Sequence, residues 1–126
     1  MNGSIEVLNS IRNYSDSRQT VGIDDNALLA FLQTDPSLAR AIADAGRLHE
    51  ELKAEFGDLL RQDEAKTIAA LQTEFINFYP ENTVNPYIAM AASGPWIITT
   101  HGAVIHDNGG YGMLGAGHSP EVIMNA

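Results

Sequence analysis

The chain has 126 residues, of which 44% are hydrophobic and 18% charged, as in one small globular domain. Its 16 acidic residues against 7 basic ones give a net charge of −9, which repels nucleic-acid phosphates and anionic membranes. We therefore expect neither nucleic acid nor a membrane as a partner. The absence of cysteine excludes disulfides and thiolate metal sites and favours a cytoplasmic location. No apolar run is long enough to span a bilayer, and the first residues do not resemble a signal peptide.

Two short helices are predicted in the first part of the chain. The first is indicated by apolar residues three positions apart: Ile5, Leu8 and Ile11. Asp24 or Asp25 can cap the second, because an aspartate side chain accepts hydrogen bonds from the free N–H groups of a first helical turn. The apolar residues of this second helix are Ala27, Leu28, Phe31 and Leu32.

A long helix is predicted to begin at Thr34-Asp35-Pro36, where proline occupies the first turn. Apolar residues then recur four and three positions apart, which predicts one continuous stripe: Leu38, Ile42, Ala45, His49, Leu52, Phe56 and Leu59. Within the stripe, His49 is expected to be a half-buried, hydrogen-bonded imidazole. The stripe loses phase across residues 61–66, so the helix is expected to bend or break near Gly57. One kinked helix and two helices in an antiparallel hairpin both remain open.

The sequence changes in character near Pro80, which divides a helical N-terminal extension (1–79) from a β-rich and glycine-rich segment (80–126). A short strand is predicted over 87–92. A hairpin follows, with strands over 96–99 and 103–106 and Gly102 in the turn, since glycine adopts the positive φ that such a turn needs. Ser119 is expected to cap a further helix with Pro120 in its first position. Because few residues follow, we expect the chain to be the front part of a longer protein.

Residue types that carry chemistry are few. His101 and His106 could approach each other across the hairpin, but positions five apart point to opposite faces of a strand unless a turn intervenes, so a metal site is not favoured. The glycine-rich stretch after Asp107 lacks the spacing of a phosphate-binding loop. A small independent enzyme using Tyr111, His118 and an acid is also not favoured, because no set of nucleophile, base and orienting group has usable spacing.

The last forty or so residues contain an ordered set of motifs. Its members are Gly94, Trp96, Gly102, Asp107, Gly109-Gly-Tyr-Gly112 and Gly117-His118-Ser-Pro120-Glu-Val-Ile. In this order they resemble the opening of the class III (subgroup II, fold type I) pyridoxal-phosphate-dependent aminotransferases. The resemblance implies an enzyme that transfers an amino group from an amine or ω-amino acid to a 2-oxo acid. It also implies a homodimer, and a substrate pocket lined by Tyr111, Gly110 and Gly112.

The resemblance covers only the beginning of such an enzyme. Transamination needs a lysine that holds the cofactor as a Schiff base, whereas Lys53 and Lys66 are predicted on the surfaces of amphipathic helices. Pyridoxal phosphate is thus expected in the full-length parent and not in this fragment, which would lack catalytic residues and be inactive alone. Its partners would be the rest of its own polypeptide and a second subunit.

The expected fold class is α+β, with N-terminal helices, a small antiparallel hairpin or meander and the start of a further helix, as a fragment of a fold type I aminotransferase. The alternative function is non-enzymatic. Residues 1–79 would then form a helical interaction module that dimerises through the stripe from Leu38 to Leu59.

Overall fold

The computed structural model describes residues 2–73, 83–107 and 117–126. In chain order, these ranges contain the helices and strands α1 (Asn2–Tyr14), α2 (Asp25–Leu32), α3 (Pro36–Arg61), α4 (Glu64–Gln72), β1 (Ala89–Ser93), β2 (Trp96–Thr99), β3 (Val104–His106) and α5 (Glu121–Met124). The α+β class is therefore confirmed. Within these ranges, no helix has the length and apolar character needed to cross a membrane.

Two aspartates start helices α2 and α3, as predicted. The side chain of Asp24 accepts hydrogen bonds from the backbone N–H groups of Asn26 and Ala27. The side chain of Asp35 accepts one from the N–H of Ser37, and Pro36 is the first residue of α3. Each cap satisfies backbone donors that have no partner inside the helix.

Helix α3 is bent near the predicted position. Phe56 has non-helical backbone angles (φ −119°, ψ 24°), and the next residue is Gly57, whose carbonyl accepts a hydrogen bond from the Tyr14 hydroxyl. Glycine lowers the resistance of a helix to bending, and a side chain bound to its carbonyl draws that carbonyl out of line. A break follows at residues 62–63, and α4 begins at Glu64.

The sheet is antiparallel, in the order β1-β2-β3. Strand β2 is the central strand and all four of its residues are buried. Gly102 (φ +80°) lies in the turn between β2 and β3, and its N–H donates to the carbonyl of Thr99. The predicted hairpin is confirmed.

One hydrophobic core joins the helices to the sheet. Helix α3 packs against β1, β2 and α1. The helices contribute buried Leu8, Ile11, Leu28, Leu38, Ala41 and Ile42, and the sheet contributes Met90, Trp96, Ile98 and Val104. The change in sequence character near residue 80 therefore does not separate two cores.

The start of α5 differs from the prediction. Pro120 is the N-cap, without a side-chain capping hydrogen bond, and the helix begins at Glu121. Ser119 has a φ of +48°. An N-cap serine needs an extended backbone to reach the following N–H groups, so Ser119 in this conformation does not cap the helix.

Candidate functional site at the base of the glycine-rich segment

The two ends of the glycine-rich segment meet beside the turn between β1 and β2. Gly94 and His118 form an antiparallel bridge in which each N–H donates to the other residue's carbonyl, at 3.0 and 2.8 Å. The N–H of Asp107 donates to the carbonyl of Pro95 at 2.7 Å. We call Gly94, Pro95, Asp107, Gly117 and His118 the neck. It joins positions far apart in the chain through backbone hydrogen bonds.

The neck is closed by a side-chain contact as well. Nε2 of His118 lies 3.0 Å from Oδ2 of Asp107, and both side chains are only partly exposed. At this distance an imidazole N–H donates to a carboxylate, and the bond is strengthened when the imidazole is charged. The contact fixes the spacing between the two ends of the segment.

The glycines of the neck have steric reasons for their positions. Gly94 and Gly117 have φ values of +57° and +74°. A Cβ atom on Gly117 would lie 3.0 Å from Cα of Gly94, and one on Gly94 would lie 2.6 Å from Oγ of Ser37. Two backbones can approach this closely only where neither residue has a side chain.

Trp96 fixes the hairpin to the start of α3. Its side chain is 1% exposed, and its Nε1–H donates to Oδ2 of Asp35 at 2.7 Å. The indole also makes edge contacts with the rings of Phe31 and His106. Hydrogen bonds from Ser37, and then the one from Trp96, hold the pKa of Asp35 below its ordinary value.

Arg40 links both sides of the neck to α3. Its Nε–H donates to the hydroxyl of Ser93 at 2.8 Å, and its Nη1 lies 2.5 Å from a carboxylate oxygen of Glu121. Ser93 is fully buried and directly precedes Gly94, while Glu121 follows His118 by three positions. One guanidinium therefore contacts both of the chain segments that the backbone bridge joins.

The histidines at the hairpin are not arranged as metal ligands. His101 is fully buried in the turn, with Nδ1 3.0 Å from the Thr100 hydroxyl and Nε2 2.9 Å from the Gln62 carbonyl. His106 is exposed at the end of β3. Over 2–73, 83–107 and 117–126, no group of three histidine, aspartate or glutamate side chains could hold a metal ion.

His49 corrects one expectation. Its side chain is only 1% exposed, and neither ring nitrogen has a hydrogen-bond partner in the described structure. The edge of its ring packs against Tyr14, with ring centroids 5.2 Å apart. The predicted hydrogen-bonded, half-buried imidazole is wrong because the core around α3 encloses the whole side chain.

The two lysines lie away from the neck, on α3 and α4. Nζ of Lys53 is 2.6 Å from a carboxylate oxygen of Glu50 and lies over the ring of Tyr14. The side chain of Lys66 is 71% exposed. Neither lysine could hold an aldehyde cofactor beside Asp107 and His118, so the described residues do not fit a Schiff-base site for pyridoxal phosphate.

The candidate residues from the sequence have different outcomes. Tyr111, Gly110 and Gly112 lie outside the described residues. Five members of the motif set lie within contact range of one another or of shared neighbours: Gly94, Trp96, Asp107, Gly117 and His118. Sequence reasoning identified Asp35 only as a helix cap and missed Arg40, because contacts 53 and 61 positions apart leave no local pattern.

Comparisons with known proteins do not assign the chain to a family: no family model, no curated protein and no solved structure matches it.

Proposed function

We propose that this chain is the N-terminal part of a class III, fold type I aminotransferase. The enzyme transfers an amino group from an amine or ω-amino acid to a 2-oxo acid. The observation that carries this proposal is the neck, in which residues of the motif set that are separated in sequence meet in space. The glycines, the aspartate and the histidine of the motif set together form a bridge, a side-chain pair and a close backbone contact, which supports reading them as one unit.

The proposed roles of individual residues follow from which residues this chain contains. Tyr111, Gly110 and Gly112, which follow Asp107 and precede Gly117 in the sequence, contact the amino acid or keto acid. The lysine that holds pyridoxal phosphate comes from the rest of the polypeptide, because Lys53 and Lys66 lie elsewhere. The cofactor supplies the electron sink for transamination when it is bound. The enzyme acts as a homodimer in the cytoplasm, and this chain alone is inactive.

The first experiment is expression of the full reading frame that contains this sequence, followed by an absorbance scan for bound pyridoxal phosphate. Borohydride reduction and peptide mass spectrometry then locate the modified lysine. We expect a yellow protein larger than 13.6 kDa whose modified lysine is neither Lys53 nor Lys66. A colourless product without transaminase activity would contradict the proposal.

A second experiment tests the substrate contact. Tyr111→Ala in the full-length enzyme should raise the KM for the amino donor at least about fivefold, since a lost aromatic contact in a pocket removes about 1–3 kcal/mol of binding. Tyr87→Ala is the matched control, because Tyr87 lies outside the neck and should leave KM unchanged. If the two substitutions change the KM for the amino donor equally, Tyr111 does not line the substrate pocket.

The alternative, a dimerising helical module, is less well supported. Its proposed interface begins with Leu38, Ile42, Ala45 and His49, and all four side chains are buried within this chain. A dimer through this part of the stripe would first have to uncover the core. Light scattering of the purified chain tests this point, and a tight dimer that is broken by substitution of Leu52 or Phe56 would favour the module.

A further inference from the structure

We propose that Asp35, which caps α3, and Arg40 of α3 are positioning residues for the neck, so that the start of this helix sets the geometry of the glycine-rich segment's two ends. Their contacts with Ser93, Trp96 and Glu121, which flank the neck, are a property of this chain. Its value for transamination rests on the proposed function.

The first part of the argument concerns the two oxygens of Asp35. Oδ1 accepts hydrogen bonds from the N–H and hydroxyl of Ser37 and so caps α3, whereas Oδ2 accepts the indole N–H of Trp96. Trp96 directly follows Pro95, whose carbonyl accepts from the N–H of Asp107. The carboxylate thus connects the first turn of α3 to the side of the neck that contains Asp107.

The second part concerns Arg40, which acts on both sides of the neck. Its hydrogen bond to Ser93 fixes the residue before Gly94, and its ion pair with Glu121 reaches the turn after His118. The Ser93 contact is partly buried, because Ser93 is fully enclosed, and it is therefore the stronger of the two. The Glu121 side chain is 67% exposed and its ion pair is screened by water. Loss of Arg40 would free both segments at once.

The third part is steric. Ser37 lies against Gly94 so closely that a Cβ at position 94 would be 2.6 Å from its hydroxyl oxygen. The cap and first two turns of α3 therefore touch Gly94 of the neck and the residues on either side of the turn, Ser93 and Trp96. These contacts explain what the start of α3 contributes: it forms the surface against which the neck packs.

The test is amide hydrogen exchange in the 126-residue chain. The N–H groups of Gly94 and His118 report the bridge directly, and those of Ile42 and Ala45, which are fully buried residues of α3, report global unfolding. In Arg40→Gln we expect about tenfold faster exchange at Gly94 and His118 with unchanged exchange at Ile42 and Ala45, because local opening requires only the local contacts to break.

A control variant on the same helix distinguishes the effect of losing a positive charge from the effect of losing the contacts of Arg40. Arg47→Gln removes the same charge, but within the described ranges the exposed guanidinium of Arg47 pairs with Asp44 and Glu51 of α3 alone, so neck exchange should not change. Arg40→Lys keeps the charge near Glu121 and loses the Nε–H that binds Ser93, so it should restore only part of the protection. Equal exchange at Gly94 and His118 in Arg40→Gln and Arg47→Gln would overturn the role of Arg40.

Asp35 is tested by a double-mutant cycle with Trp96. Asp35→Asn keeps an oxygen for capping α3 but places an amide N–H₂ opposite the indole N–H, and Trp96→Phe removes that indole donor. Each change should speed exchange at Asp107, and the asparagine should add little in the phenylalanine background. Additive effects, or no effect at Asp107, would overturn the role of Asp35.

Activity of the full-length enzyme separates this inference from the proposed function. Arg40→Gln should raise the KM for the amino donor more than it lowers kcat, while Arg47→Gln should change neither. Absence of any transaminase activity would contradict the proposed function and leave the exchange result standing. Activity with unaltered neck exchange in Arg40→Gln would contradict the positioning role alone.

Discussion

At the scale of single residues, His49 is a polar group enclosed by an apolar core. A buried imidazole without hydrogen bonds resists protonation, since a charge there would have neither water nor a partner. Burial is the main cause that lowers its pKa, and the nearby charge of Lys53 lowers it further, with a smaller opposing effect from Glu50 and an additional lowering by His101. The folded protein therefore favours neutral His49.

His49 should make the protein less stable in acid. Above the ordinary pKa of 6.5 the imidazole is neutral in both the folded and unfolded chain, so it contributes no dependence on pH. Below pH 6.5 the unfolded chain binds a proton that the folded chain resists. The free energy of unfolding then falls as pH falls, by at most about 1.4 kcal/mol per pH unit for one proton.

Urea unfolding of His49→Leu across this pH range checks the prediction. The substitution should remove this part of the acid dependence and raise stability near neutral pH by about 1–2 kcal/mol, because no buried nitrogen is left without a partner. His106→Gln, at an exposed position, retains His49 and should keep the acid slope. An unchanged slope in His49→Leu would show that another group is responsible.

Gly117 is a second residue whose identity is fixed by its surroundings. Gly117→Ala combines a positive φ with a Cβ 3.0 Å from Cα of Gly94, so it should destabilise the protein by about 1–3 kcal/mol. Gly3→Ala is the control, since nothing lies within 4 Å of its Cβ position and it lies in α1. It should be neutral or stabilise by up to about 1 kcal/mol. Chemical denaturation of the two variants compares them, and equal stabilities would contradict the steric argument.

At the scale of helices and strands, local signals predicted most of the fold. Asp24 and Asp35 start helices because the interactions of a cap lie within three residues, and Gly102 marks the hairpin because its turn is short. The neck could not be predicted in this way. Its contacts join residues such as Gly94 and His118, and their meeting depends on how whole elements pack. Ser119 shows the same limit, since its local cap pattern is overridden by the backbone that leads out of the bridge.

Glu64 joins the loop after α1 to the start of α4. Its side chain is 1% exposed, and Oε2 accepts hydrogen bonds from the backbone N–H groups of Gln19 and Thr20 at 3.1 and 2.8 Å. A carboxylate in the first turn also interacts favourably with the positive end of the helix dipole. Glu64 therefore holds the loop after α1 against the first turn of α4.

Glu64→Ala should destabilise the protein by about 1–2 kcal/mol, because two backbone donors lose their acceptor, an effect that is partly offset by removal of the buried Oε1, which has no hydrogen-bond partner among the described residues. Glu55→Ala, at an exposed position on α3, should change stability by less than about 0.5 kcal/mol. Thermal denaturation followed by circular dichroism measures both. A stable Glu64→Ala protein would mean that water replaces the carboxylate without loss.

At the scale of the whole molecule, the helical and β-rich parts share one core. Residues after position 80 supply Met90, Trp96, Ile98 and Val104 to the apolar cluster that α1, α2 and α3 cover from the other side. A chain cut after residue 79 would leave these helical faces in water. The two parts should accordingly be stable only together.

The isolated segment 1–79 should therefore lack a cooperative thermal transition, whereas the 126-residue chain should melt in one step. Circular dichroism and dispersion of amide NMR signals measure the difference. A cooperative transition in 1–79 would instead favour the helical interaction module, because the helices would then have a core of their own.

The contact between the first helix and the hairpin turn also affects the order of events during synthesis. Nε of Arg12 donates to the carbonyl of Gly102, 90 positions later. At about 5–20 residues per second, a ribosome needs roughly 5–20 s to add that length of chain. The helices emerge first and must wait for the sheet, so the growing polypeptide exposes an apolar helical surface to chaperones for several seconds before its own hairpin covers it.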